Sequence, residues 1–145
     1  MRILRQLTAA QKWVIVLVGI TLGLAASNLG RAIVALQYAA RLPDIPMTVS
    51  FGYLAGIGGV WGVAFTVCSV GLSSFRRWGR WCTLIAVSLY QANVWVNHFL
   101  FSASDYARQT TPRNLVLTAT LLLIFWGSLN LPAVRRAFGE GGEQA

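Results

Sequence analysis

Acidic residues are nearly missing from this 145-residue chain. Asp44, Asp105, Glu140 and Glu143 are all it has, against twelve Lys and Arg. None of its apolar runs holds an Asp, a Glu or a Lys, which excludes the usual proton relay and the usual cation-coupling site of membrane transporters. Charged residues of every kind make up 11% of the sequence and hydrophobic ones 56%. A soluble domain carries about 25% charged residues. Too little polar material is present to cover a globule, so lipid is the expected solvent for much of the surface. Histidine occurs once, as His98, and cysteine twice, as Cys68 and Cys82, with no CxxC. Nothing near either thiol activates it, so both are expected as small buried or lipid-facing residues rather than a redox pair. No glycine-rich phosphate loop, HExxH or GxSxG is present, and no Ser or Thr has a partnered base. Catalysis is therefore not expected.

What is present is a succession of long apolar runs. The first opens at Trp13, is interrupted by Thr21, Ser27, Asn28 and Arg31, and continues toward Arg41. At about 1.5 Å per residue, Arg31 lies about 27 Å above Trp13, near the far edge of a hydrocarbon core about 30 Å thick, where its guanidinium can snorkel. Arg2, Arg5 and Lys12 followed by Leu24-Ala25-Ala26-Ser27 also resemble a signal peptide and its cleavage site, but the apolar pattern runs well past that site, so an uncleaved anchor is expected. Pro43-Asp44-Ile45-Pro46 ends the first helix.

The remaining spans follow. The four are expected at about 13–35, 47–72, 81–101 and 113–131 in one domain covering 1–138, with 139–145 a disordered Gly- and Glu-rich tail. A basic, aromatic loop from Ser73 to Arg80 separates the second and third. A polar segment from Ser102 to Thr111 separates the third and fourth, with Thr111 as N-cap and Pro112 at the first helical position. Gly19 and Gly23 in the first span, and Gly52, Gly56, Gly58, Gly59 and Gly62 in the second, make small-xxx-small spacings that suit close helix packing in lipid. The expected fold is all-α, an integral membrane four-helix bundle. Arg2, Arg5, Lys12, Arg76, Arg77, Arg80, Arg135 and Arg136 fall on one side and Arg31, Arg41, Arg108 and Arg113 on the other, which places both termini in the cytoplasm.

The net charge of +8 does not point to nucleic acid, because the basic residues sit between apolar runs and form no patch with interleaved aromatics. The candidate site is a polar cluster in the outer half of the membrane. Asn93 and Asn97 share a face of the third span with Tyr90, and Asn28 and Arg31 lie at overlapping depth on the first. Polar groups at that depth turn inward and find partners. They either bond the helices together or line a site for an anionic or quinone-like headgroup, with Arg31 as the fixed charge. His98 is a weak candidate for cofactor binding. Haem between membrane helices commonly uses facing histidines, and Asp105 with His98 makes too few ligands for a metal. The first span lacks the Glu of small multidrug exporters, and the chain has neither the paired cysteines of disulfide-generating membrane oxidases nor the several histidines of di-haem cytochromes.

The expected function is a non-catalytic accessory or assembly subunit of a larger membrane complex, with the bilayer and other membrane subunits, or a second copy, as partners and no cofactor or metal. The alternatives are a small oligomeric transporter or channel using the polar cluster, and a quinone- or haem-associated electron-transfer subunit. The excess of Arg over Lys suggests a GC-rich bacterial genome, hence a bacterial inner (plasma) membrane.

Overall fold

The computed structural model describes residues 8–41, 50–101 and 105–139, with the backbone alone at 101 and 105–110. Arg2, Arg5, the Pro43–Pro46 breaker, the expected start of the second span at Met47 and the tail beyond Gly139 lie outside the described residues. The chain is all-helical, and no strand occurs among the described residues. Helix α1 is Ala9–Arg41, α2 is Phe51–Ser73, α3 is Arg77–Phe101 and α4 is Asp105–Leu122. A π turn at Leu123–Gly127 carries α4 into a short α5, Ser128–Asn130, and α6 is Pro132–Ala137.

Among the described residues, three segments are long and apolar enough to cross a membrane: Ala9–Arg41, Phe51–Ser73 and Thr111–Asn130. Helix α3 has 25 residues, about 37 Å at the helical rise, but Gln91, Asn93, Asn97 and His98 make its second half too polar to join them. The outward surface of the molecule is strongly apolar: Leu123 is 73% exposed and Val60 67%. Such surface in water would be a large uncovered patch, whereas lipid covers it at no cost.

The long helices alternate in direction. Asn28 meets Gly58 and Tyr38 stacks on Phe51, so α2 runs back along α1. Gly71 meets Gly79, Cys68 meets Cys82, and Tyr53 meets Asn97, so α3 runs back along α2. Ser88 pairs with Trp126 and His98 with Thr111, which sets α4 antiparallel to α3.

Glycine governs two of these crossings. A Cβ on Gly58 would lie 2.8 Å from the Asn28 carbonyl oxygen, and one on Gly62 would lie 2.5 Å from the Leu29 side chain. Here α1 and α2 approach as the small-residue spacing predicts. Gly19, Gly23, Gly52, Gly56 and Gly59, by contrast, have nothing within 4 Å of where a Cβ would sit, so they make no close helix crossing among the described residues. The cause is rotation: at about 100° per residue, Gly56 points some 160° away from Gly58. The second crossing was not anticipated. A Cβ on Gly79 would lie 2.2 Å from the Gly71 carbonyl carbon, so the backbones of α2 and α3 touch where the chain reverses. That reversal is tighter than the expected Ser73–Arg80 loop, because α3 already starts at Arg77, and Phe75 takes a positive φ of 49° to make it.

The start of α4 also differs. It lies at Asp105, so Thr111 is not its N-cap and Pro112 sits inside the helix. Tyr106-Ala107-Arg108-Gln109 contains good helix formers, and a proline disrupts mainly the turn that precedes it. At the far end the helix stops where expected. Leu131 turns extended at φ −59°, ψ 134°, and Pro132 opens α6.

The core lies toward one end of the bundle. Val14 and Leu17 of α1, Phe65 and Leu72 of α2, Leu84 of α3 and Phe125 of the π turn are wholly buried. Val134 and Phe138 close this end from below. Arg80, expected in a cytoplasmic loop, is buried there at 2% exposure.

Candidate functional site

The opposite end is hollow. A cavity of about 1080 Å³ lies among all four long helices. The five residues of the expected cluster, Asn28, Arg31, Tyr90, Asn93 and Asn97, all line it, and so does His98. Their convergence follows from the helix period. On α3, residues 90, 93/94 and 97 form one inward stripe, while Ile85, Leu89, Val96 and Phe99 face outward and are exposed.

The polar wall is organised as two networks. In the first, the Tyr53 hydroxyl donates to Asn97 Oδ1 at 2.9 Å, and Asn97 Nδ2 donates to the Asn93 carbonyl oxygen at 2.9 Å and to Asn93 Oδ1 at 3.1 Å. Trp61 Nε1 also donates to Asn93 Oδ1, at 3.3 Å. This network ties α2 to α3. In the second, Trp95 Nε1 donates to Thr118 Oγ1 at 3.1 Å, and Thr118 donates to Gln91 Oε1 at 3.0 Å, tying α3 to α4. Tyr90 stands edge-on to Trp61 and Phe65, at centroid distances of 5.3 and 5.2 Å. Asn28 bonds within its own helix, Nδ2 donating to the Leu24 carbonyl oxygen at 2.8 Å. Each such bond in a membrane contributes about 0.6 kcal/mol. They therefore fix the shape of the cavity more than they hold the bundle together.

The charges are arranged differently. Arg31 on α1 and Arg113 on α4 are both exposed residues on the cavity wall. No hydrogen bond or ion pair ties either to another described residue. Arg113 was missed as a site residue because its place after Thr111-Pro112 looked like the edge of a span. Tyr53 and Thr118 carry no local signal at all. Only the pairing of helices brings them in.

His98 Nε2 lies 3.0 Å from Thr111 Oγ1, and its ring stands edge-on to Trp95. No group of three or more His, Cys, Asp or Glu is placed to hold a metal among the described residues. The side chain of Asp105 lies outside them.

Two further polar features sit at the packed end. Arg80 Nε donates to the Leu129 carbonyl oxygen at 3.0 Å, and its Nη2 donates to Asn130 Oδ1 at 2.8 Å. Its guanidinium lies 4.8 Å from the Trp81 ring centroid. Helix α5 ends at Asn130, where Pro132 cannot donate, so the arginine supplies donors and positive charge at a helix C-terminus. Cys68 and Cys82 are both free thiols, with their Sγ atoms 3.1 Å apart. They lie side by side across α2 and α3, closer than expected for unrelated small residues.

Taken together, the cavity offers two guanidinium groups, carboxamide and hydroxyl groups fixed by hydrogen bonds, and an aromatic and aliphatic remainder that includes Leu24, Leu54, Ile57 and Leu117. Such a wall is chemically complementary to a polar head bearing negative charge or lone pairs together with an apolar body. Compared with known families, curated proteins and solved structures, the chain matches no family model, no curated protein and no solved structure.

Proposed function

We propose that this chain is a four-span integral membrane protein of the plasma membrane, with both termini in the cytoplasm, that binds rather than catalyses. It serves as an accessory or assembly subunit of a larger membrane complex and holds the head of an anionic or quinone-like amphiphile in its cavity.

The observation that carries this reading is the convergence of Arg31, Arg113 and Asn97, from three different helices, on one cavity. The fourth span rests on α3. Its turn from α2 is short, it runs back along α2 through Tyr53 and Asn97, and its polar face is turned inward while an apolar face is exposed. A polar helix is accommodated in a bilayer in that way. The open glycines Gly19, Gly23, Gly52, Gly56 and Gly59 leave surfaces on which another membrane helix can approach closely, which supports the subunit role. A small oligomeric transporter is the second reading, favoured by the size of the cavity.

The test is native purification. The full chain, tagged at its C-terminus, is extracted in mild detergent, and proteins, small molecules and the visible spectrum of the same peak are recorded. Stoichiometric partner proteins and a bound amphiphile that Arg31→Ala releases are the expected result. A solitary, ligand-free chain that Arg31→Ala leaves unchanged would overturn it.

A further inference from the structure

We infer that the ligand of this cavity is a phosphate-bearing lipid, with its phosphate clamped between Arg31 and Arg113 and its apolar portion lying against the aliphatic wall. This rests on the reading of the cavity as a binding site and narrows it to one chemistry.

The chain carries twelve basic and four acidic residues, so most of its arginines must find counter-charge outside it. At the cavity, two arginines line one half-open space without a described partner. Cations at membrane depth are costly unless paired. A quinone would offer them lone pairs but no charge. A phosphate diester supplies a full negative charge and the planar two-oxygen edge that guanidinium binds in bidentate fashion.

Arg31 lies about 27 Å above Trp13 at the helical rise, and Arg113 stands near the start of the apolar segment Thr111–Asn130. Both fall where a leaflet places its phosphates, at the edge of a hydrocarbon core about 30 Å thick.

At about 1080 Å³ the cavity is at or above the top of the range of about 300–1000 Å³ for small-molecule pockets, far more than an inorganic phosphate occupies. Elsewhere its wall includes Leu24, Leu54, Ile57, Leu117 and Leu121, a surface for acyl chain rather than for a hydrated ion.

The experiment is native mass spectrometry of the full chain released from detergent, after supplying phosphatidylglycerol, phosphatidylcholine or inorganic phosphate. Phosphatidylglycerol is expected to remain as a stoichiometric adduct. Arg31→Ala and Arg113→Ala should each weaken it by roughly tenfold, as befits loss of a charged hydrogen bond. Arg31→Gln serves the same end should the alanine variant fail to fold. Arg41→Ala removes an arginine of the same helix that does not line the cavity, and should change nothing. Equal loss with Arg41→Ala would mean a general lipid shell and would overturn the inference. So would equal retention of inorganic phosphate, which would make the headgroup the whole ligand. A different outcome separates the two levels. A ligand without phosphate that Asn97→Leu releases would refute the lipid phosphate and leave the binding cavity standing. Wild type and Asn97→Leu that both hold nothing would refute both.

Discussion

Arg80 and Leu129 are joined by a 3.0 Å hydrogen bond from the guanidinium Nε to a helix-terminal carbonyl oxygen, inside the most tightly packed part of the molecule. An arginine that sequence places among topology-setting surface charges is thereby a structural cap. Substituting Arg80→Ala leaves the Leu129 carbonyl and the Asn130 carboxamide without these donors. The expected cost is about 2 kcal/mol or more in a detergent-unfolding series. Arg80→Lys should recover only part of it, since an ammonium lacks the fork that reaches both acceptors. Equal stability of wild type and Arg80→Ala would remove the cap from the account.

The Gly71–Gly79 crossing makes a contrasting pair of expectations. Gly79→Ala drives a methyl into the Gly71 backbone, so the α2–α3 reversal must open, at a cost of about 1–3 kcal/mol. Gly56→Ala meets open space and should leave the isolated chain as stable as before, while weakening any partner helix that packs there. Unfolding curves of the two variants, with co-purification of partners, check both halves.

The thiol pair gives a direct check of helix register. With Sγ atoms 3.1 Å apart, Cys68 and Cys82 should close to an intramolecular disulfide when a membrane-permeant oxidant such as diamide takes up their two electrons and two protons. Non-reducing peptide mapping should find the crosslink, and Cys82→Ser should abolish it. Failure to crosslink under conditions that consume other buried thiols would contradict the pairing of α2 with α3.

Much of this fold and site was legible from periodicity and charge. The inward stripe of Tyr90, Asn93 and Asn97 followed from helical spacing alone. What escaped depended on two helices at once. Gly71 and Gly79 belong to no common helix, so no single-helix spacing marks them. Arg113 was hidden because Thr111-Pro112 imitates a helix start, whereas α4 begins at Asp105. The five open glycines mark a further limit, since a small-xxx-small spacing says that close approach is possible and does not say which face or which neighbour is used. Trp13 donates to Ser128 at 2.9 Å and Trp126 to Ser88 at 3.1 Å, in addition to the Trp61 and Trp95 bonds of the cavity. Indole N–H groups that would be costly in lipid are satisfied between helices.

A four-span bundle requires α3 to cross the membrane and to present its polar half to the outer side. The most direct measurement is thiol labelling in intact cells, in a Cys68→Ser/Cys82→Ser background, with a membrane-impermeant maleimide. Asn97→Cys at the cavity should be labelled from outside, and Ser74→Cys at the α2–α3 reversal only after the cells are opened. Labelling of both positions from the same side would mean that α3 does not span the bilayer, and the four-span bundle with its outward-facing cavity would be wrong.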